Sequence, residues 1–124
     1  MPATKMAGSV AALLDHRHPG SRVLRKGRVP LPGRIYLVTT VTRGRDPVFA
    51  DFAAGCAAAR CFENGQLLGD ACMLAWVLMP DHTHWLIRLG DGDTLATVVN
   101  RLKSASARNV NRLLHRRGPV WARA

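Results

Sequence analysis

The sequence predicts an α+β domain in which helices cover one face of an antiparallel sheet. Its segments follow the order strand, helix, strand, strand, helix, judged from whether apolar residues alternate or recur at helical spacing. Only a Pro-Asp turn separates the second and third strands, which indicates an antiparallel pair. The length of 124 residues suits one domain with a single modest core.

The first 33 residues differ from the rest and are expected to form an irregular basic N-terminal arm, ahead of a domain over 34–124. Proline and glycine recur through this arm between scattered Arg and Lys residues, and only residues 9–15 could form a helical turn or two.

The first strand is predicted over Arg34–Thr42, which is dense in β-branched and aromatic residues. An Ala-rich helix should follow from Phe49 to about Phe62. Asp51 lies in its first turn, where the helix dipole favours an anion, and Asn64-Gly65 should end it.

The second strand, Ala71–Met79, is almost wholly apolar and is expected to be buried on both faces. After the Pro80-Asp81 turn, the third strand should run over His82–Leu89. The resulting βαββα order is that of the first five elements of a ferredoxin-like βαββαβ fold.

The last helix should begin at a cap formed by Asp93 or Thr94 and run to about His115, where Gly118-Pro119 stops it. Val120-Trp121 would begin a further element. The predicted apolar stripe of this helix comprises Leu95, Val98, Val99, Leu102, Val110 and Leu113.

Two histidines at the start of the third strand are the leading candidate site. His82 and His84 share a strand face with Leu86 and Arg88, opposite the apolar face that should meet the helices. They could bind a divalent metal and a phosphate, or be two half-exposed polar residues on a solvated face. The equally spaced pair His16 and His18 lies in a Pro/Gly-flanked polar segment, and we assign it no site.

Two imidazoles make an incomplete metal shell. Mg²⁺ would need further oxygen ligands such as phosphate and water, whereas Mn²⁺ accepts mixed nitrogen and oxygen ligands more readily. No third protein ligand is evident: Asp81 is a candidate by proximity, but an Asp after Pro favours a turn role.

The charge predicts a nucleic-acid partner. The formal net charge is +10, and Arg supplies 15 of the 18 basic residues. Arginine suits bidentate phosphate contacts, although a merely solubilising surface would have the same charge. The expected DNA-binding residues are Arg88, Arg101, Lys103, Arg108 and Arg112. Arg101, Arg108 and Arg112 share one stripe of the last helix; the alternative is an ordinary solvated face, but the net charge favours nucleic acid.

Other residue types narrow the function classes. Cys56, Cys61 and Cys72 are odd in number and lack Cys-x-x-Cys spacing, which favours free thiols over disulfides or zinc. No apolar run is long enough to span a bilayer or to form a signal peptide, so a cytoplasmic protein is expected. Trp76, Trp85 and Trp121 could in principle stack on bases, but Trp76 and Trp85 lie in core-like patterns, and core packing is expected for these two.

The order of several short motifs resembles the HUH single-tyrosine transposases of insertion-sequence-200-like type, particularly the REP-associated tyrosine transposases. The central string is Trp-x-x-Met-Pro-x-His-x-His, here Trp76 to His84, and it is more specific than His-x-His alone. The matching segments are 27–28, 32–42, 45–49, 75–84, 102–104 and 118–121.

This resemblance implies a ferredoxin-like domain that binds single-stranded DNA, often beside a hairpin. It implies that His82 and His84 bind Mg²⁺ or Mn²⁺ at the scissile phosphate. A tyrosine would then attack, nicking the strand through a covalent phosphotyrosine, and reversal would rejoin strands. A homodimer is left open as the assembly state.

Two departures from the family pattern bear on function. Thr83 replaces the usual bulky hydrophobe between the histidines, and its hydroxyl needs a partner if it faces the core. The only tyrosine, Tyr36, matches a structural position of the first strand, so we expect the nucleophile beyond Ala124, in a C-terminally truncated chain that is inactive alone. The alternatives are a non-catalytic nucleic-acid-binding module and a decayed remnant with an exposed sheet edge.

Overall fold

A computed structural model describes residues 6–7 and 33–123. The sequence forms four strands, three α-helices and two short 3₁₀ turns in this part of the chain. The strands are β1 (Met6–Ala7), β2 (Ile35–Val41), β3 (Cys72–Met79) and β4 (His82–Arg88). The helices are α1 (Phe52–Phe62), α2 (Gly65–Leu68) and α3 (Leu95–Leu114), and the 3₁₀ turns are Arg43–Arg45 and Val48–Ala50.

The four strands form one sheet in the order β1-β3-β4-β2, and every neighbouring pair is antiparallel. The first long strand, β2, therefore pairs with β4 rather than with β3, as a ferredoxin-like βαββα arrangement requires. At the free edge of β2, Trp121 forms a bridge with Thr42, and the Ala122 N–H donates to the Val41 carbonyl over 2.9 Å. The α+β, ferredoxin-like prediction is confirmed, and Val120-Trp121 does begin a further extended segment.

One face of β4 is fully buried beneath the helices. Thr83, Trp85 and Ile87 have no exposed surface, and the Phe62 ring of α1 packs edge-on against Trp85 with centroids 5.2 Å apart. The Thr83 hydroxyl donates to the Val77 carbonyl over 2.8 Å. The polar group that Thr83 brings to the core thus has the partner that its burial requires.

Trp121 also belongs to this core, with 5% of its surface exposed. Its ring lies 5.2 Å from that of Phe49, and its indole N–H donates to the Ser106 hydroxyl over 2.9 Å. The expectation that Trp121 could stack on a base is therefore wrong, whereas the core placement of Trp76 and Trp85 is confirmed.

The helix ends differ from the predicted ones for local reasons. Asp51 is the N-cap of α1 and accepts from the Ala54 N–H over 3.1 Å, so this helix begins after Phe49, which lies buried in a 3₁₀ turn. The helix α1 ends at Phe62 with Glu63 as its C-cap, and Asn64 is instead the N-cap of α2, where its side chain accepts from the Gln66 N–H. Each short polar side chain satisfies a backbone donor that a helix start leaves unpaired.

The caps of α3 are Thr94 and His115. Thr94 accepts from the Thr97 N–H, which settles the choice between Asp93 and Thr94. His115 adopts a left-handed conformation with φ 54° and ends the helix before Gly118-Pro119. Leu113 is 43% exposed, so its place on the predicted apolar stripe is wrong, while Val98, Leu102 and Val110 are fully buried.

Within the predicted irregular arm, Met6 and Ala7 pair with Leu78 and Val77 at the free edge of β3. The sequence predicted no strand there, because two residues carry no periodicity. Residues 8–32, including the predicted turn over 9–15 and the pair His16 and His18, lie outside the described part of the chain. Among the described residues, no helix has the length and apolarity needed to cross a bilayer.

Candidate metal and nucleic-acid site

The two candidate histidines lie side by side on the sheet face opposite the helices. They occupy the first and third positions of the central strand β4, where His82 pairs with Val41 and Met79, and His84 pairs with Thr39 and Val77. Both side chains are half-buried. Their ring centroids lie 5.0 Å apart, and the ring planes meet at 78°. The alternation of β4 thus brings the pair together while Trp85 occupies the core.

His84 has a partner on the neighbouring strand. Its Nδ1 atom lies 2.9 Å from the Thr39 hydroxyl oxygen. Burial lowers the pKa of His84 below its ordinary value, and the neighbouring His82 ring lowers this pKa further. The lowered pKa favours the neutral form of the His84 imidazole, which is the form that can bind a metal ion.

His82 is bound by the residue that precedes it. Its Nδ1–H donates to Asp81 Oδ1 over 2.8 Å, and Arg45 Nε donates to the other carboxylate oxygen over 3.1 Å. The hydrogen bond from His82 and the positive charge of Arg45 hold the pKa of Asp81 below its usual range. Asp81 is therefore an ionised carboxylate whose two oxygens both accept hydrogen bonds from protein groups.

This geometry decides which atoms remain available for a ligand. Because each Nδ1 atom has a protein partner, the Nε2 atoms of His82 and His84 are the ring nitrogens without a partner among residues 6–7 and 33–123. With metal–nitrogen bonds of roughly 2 Å, two rings at this separation can share one ion. Among the described residues no group of three or more His, Cys, Asp or Glu side chains could hold a metal. An ion here would take its remaining ligands from water and phosphate, which suits Mn²⁺ or Mg²⁺.

Arg45 is the residue of this site that sequence reasoning missed. It has φ 58°, a left-handed conformation that is unfavourable for a residue with a side chain, and it follows Gly44 at φ 64°. Its side chain is 59% exposed. The Gly44-Arg45 step, between two predicted elements, is the only signal in the sequence for such a turn, and it does not reveal the contact with Asp81.

The expected DNA-binding residues do not form one surface. Arg88 is exposed on the histidine face, four residues beyond His84 and so roughly 13 Å along β4. The other four lie on α3, which packs on the opposite face of the sheet. A DNA strand in contact with the histidines therefore cannot follow the α3 stripe without passing around the sheet edge.

Two of the four α3 residues have partners within the protein. Arg101 donates to both oxygens of Asp93 over 2.8 and 3.0 Å, and also to the Leu67 carbonyl. Lys103 donates to the Ala122 carbonyl over 2.9 Å. These contacts connect α3 to α2 and to the final extended segment, so both residues have a structural use.

Arg108 and Arg112 are exposed on α3 and line two surface grooves. Arg108 lines a groove of about 380 Å³ together with Thr97, Asn100 and Arg101. Arg112 lines one of about 480 Å³ that also contains Arg60, Asn109 and His115. Of the five expected DNA contacts, Arg88, Arg108 and Arg112 are thus the ones exposed to an incoming strand.

Tyr36 lies away from the histidine pair. It is 4% exposed and occupies the face of β2 that packs toward the helices, paired in register with Ile87. Its place in the core agrees with the structural role expected for it.

The sequence model of the family described as Transposase IS200 like matches residues 34–123, which is most of the chain and includes the complete histidine hairpin. The chain belongs to the IS200-like transposase family. This transposase domain also resembles a solved structure from Deinococcus radiodurans R1 that is described as a transposase. The two are 25% identical with a TM-score of 0.62, over 80% of each chain. No curated protein matches.

Proposed function

We propose that this transposase-family domain binds single-stranded DNA at its histidine face and supports metal-dependent nicking and rejoining. The observation that carries the proposal is the orientation of His82 and His84, whose Nδ1 atoms each have a partner and whose Nε2 atoms have none in the described part of the chain. If the two histidines were only solvated surface residues, separate hydrogen bonds that fix each ring would serve no purpose. The substrate class, DNA, is inferred from membership in a transposase family.

His82 and His84 would hold a Mn²⁺ or Mg²⁺ ion through Nε2. When bound, such an ion acts as a Lewis acid that withdraws charge from a phosphate oxygen. The chain's own residues orient the two rings. Thr39 fixes His84, while Asp81 fixes His82 and balances part of the positive charge of Arg45.

Arg88 extends this site along β4. Its exposed guanidinium lies at the far end of the histidine face, where it would bind a phosphate of the same strand. Arg108 and Arg112 would form a second, separate contact with nucleic acid on the helical face. Both contacts are electrostatic and should weaken as the salt concentration rises.

The nucleophile of the proposed reaction is a tyrosine from outside these 124 residues, either later in a longer product or in another chain. Its oxygen would bond to phosphorus while the bond from phosphorus to the 3′ oxygen breaks. The departing 3′ oxygen takes up a proton, and the 5′ phosphate stays on the tyrosine. Tyr36 is excluded from this role because it is buried on the opposite face of the sheet.

The proposal is tested by binding of a fluorescent single-stranded oligonucleotide to the 124-residue chain, with and without Mn²⁺. The His82→Ala/His84→Ala variant should lose the increase in affinity that Mn²⁺ produces, whereas the matched His16→Ala/His18→Ala variant should keep it. A Mn²⁺-dependent covalent adduct in a tyrosine-containing longer product would support the nicking step.

Two results would contradict the proposal. If Mn²⁺ leaves the affinity of the wild-type chain for DNA unchanged, the histidine face does not bind metal and phosphate together. If binding is strong but independent of both metal and histidines, a non-catalytic nucleic-acid-binding module is the better description.

A further inference from the structure

We infer that Asp81 is a positioning residue that fixes the His82 ring with Nε2 directed away from the turn, and that Arg45 in turn holds Asp81. This inference rests on the proposed function only in assigning a metal ion to that nitrogen. The orientation of the ring is a property of the metal-free chain and can be tested by itself.

The hydrogen bond between Asp81 and His82 determines where the ring proton lies. The distance from His82 Nδ1 to Asp81 Oδ1 is 2.8 Å. An ionised carboxylate can only accept hydrogen bonds, so Nδ1 must carry the proton and Nε2 of the neutral ring must carry the lone pair. Carboxylates that orient a metal-binding histidine in this way are conserved features of metal sites in general, because they set both the tautomer and the ring angle.

The Asp81 side chain cannot rotate freely, because Arg45 binds its second oxygen. Arg45 Nε lies 3.1 Å from Asp81 Oδ2. Arg45 makes this contact from a left-handed backbone conformation that carries a steric cost for arginine. A strained residue whose side chain reaches a functional group is a reason to assign it a role.

The Asp81 backbone is fixed independently of its side chain. Its carbonyl accepts from the Thr42 N–H over 2.9 Å and from the Thr42 hydroxyl over 3.1 Å, and Thr42 is only 1% exposed. Replacement of the Asp81 carboxylate should therefore release the His82 ring without moving the turn. This separation makes a side-chain substitution a clean test.

The two histidines are held in different ways. The Thr39 hydroxyl can either donate to or accept from His84 Nδ1, so it does not fix the tautomer of that ring. Only His82 has an acceptor that cannot donate. Loss of Asp81 should therefore change His82 and leave His84 as an internal reference in the same spectrum.

The experiment is ¹⁵N NMR of histidine-labelled, metal-free chain at a pH above the range in which histidine is protonated. The signals of His82 and His84 are assigned with the corresponding single Ala variants. The tested variants are Asp81→Ala and Arg45→Asn, the latter because Asn tolerates a left-handed backbone. Asp91→Asn, which removes an exposed carboxylate beyond the opposite end of β4, is the matched control.

In the wild-type chain and in Asp91→Asn, His82 should show a protonated Nδ1 and an unprotonated Nε2. Asp81→Ala should shift His82 toward the Nε2–H tautomer, and Arg45→Asn should do so to a smaller extent, while the His84 signals stay in place. A His82 signal that is unchanged by Asp81→Ala, or a wild-type His82 already protonated at Nε2, would overturn the inference.

A Mn²⁺ titration of the same samples separates this inference from the proposed function. If the wild-type chain binds Mn²⁺, Asp81→Ala should weaken binding by about 10-fold or more. Wild-type binding with equal affinity in Asp81→Ala would overturn the positioning role. Failure of the wild-type chain to bind Mn²⁺ would contradict the proposed function, while the tautomer measurement would still decide how Asp81 acts on His82.

Discussion

The Nδ1 atom of His84 lies 2.9 Å from the hydroxyl oxygen of Thr39, directly across the β2–β4 pair. This contact links the candidate metal site to the strand register, because a slip of one residue would place Thr39 on the other face of the sheet. The same register brings Val41 beside His82. The site therefore depends on the pairing of β4 with β2 as well as on its own two histidines.

Replacement of Thr39 by Val should weaken metal binding without unfolding the domain. The hydroxyl that holds the His84 ring is lost, while the exposed position tolerates a β-branched side chain in a strand. We expect a loss of about 10-fold in Mn²⁺ affinity, measured by isothermal titration calorimetry. Thr39→Ser keeps a hydroxyl and should stay near the wild-type affinity. Equal affinities for Thr39→Val and the wild type would argue against this role of Thr39.

The Asp93–Arg101 pair should make the stability of the domain sensitive to acid. Hydrogen bonds from Arg101, supported by its charge, lower the pKa of Asp93 in the folded state. Above the ordinary Asp pKa of about 3.9 the carboxylate contributes its full stabilisation, and this contribution disappears as the pH falls through the lower folded value.

Urea unfolding of the wild type and Asp93→Asn at decreasing pH measures this effect. The wild type should be the more stable protein near neutral pH, and the difference should shrink from about pH 5 downward. A difference that stays constant into acid would show that the pair does not couple proton binding to folding.

Replacement of Arg88 by Ala should affect DNA binding, whereas replacement of Arg101 by Ala should affect stability, although both were expected from the sequence to bind DNA. Arg88 is exposed on the histidine face, so Arg88→Ala should make the negative slope of log affinity against log salt shallower by about 1. Arg101 is bound to Asp93, so Arg101→Ala should lower the free energy of unfolding and leave that slope unchanged. Fluorescence anisotropy with a single-stranded oligonucleotide, combined with thermal melts, separates the two. If the salt dependence became shallower only for Arg101→Ala, Arg101 and not Arg88 would be the DNA contact.

Leu102 and Leu113 test how α3 packs. Leu102 has no exposed surface, whereas Leu113 is 43% exposed. Leu102→Ala should therefore lower the free energy of unfolding by about 2–5 kcal/mol. Leu113→Ala should change it by less than about 0.5 kcal/mol. Similar losses for the two variants in urea denaturation would mean that α3 is rotated from the orientation described above.

Much of the sheet was predictable because strand alternation is a strong constraint. The pattern of β4 placed Trp85 and Ile87 in the core and both histidines on the other face, and the short Pro80-Asp81 turn allowed only an antiparallel partner. It also showed that the Thr83 hydroxyl would need a partner, which the Val77 carbonyl provides. These features are local in sequence.

The contacts that the sequence did not predict join distant segments or depend on one unusual torsion angle. Arg45 reaches Asp81 across 36 positions of sequence, from a left-handed turn that no periodicity signals. Helical spacing correctly grouped Arg101 with Arg108, but it could not show that Asp93 neutralises Arg101. Helical spacing therefore identifies the stripe but does not show which of its arginines has a partner within the protein.

The central claim is that His82 and His84 together bind a divalent metal ion, and direct Mn²⁺ titration followed by electron paramagnetic resonance tests it most directly. The wild-type chain should bind one ion, and His82→Ala/His84→Ala should bind at least about 10-fold more weakly. His16→Ala/His18→Ala removes a pair with the same spacing and should bind as the wild type does. Equal binding by the His82→Ala/His84→Ala variant, or no binding by the wild-type chain, would contradict the claim.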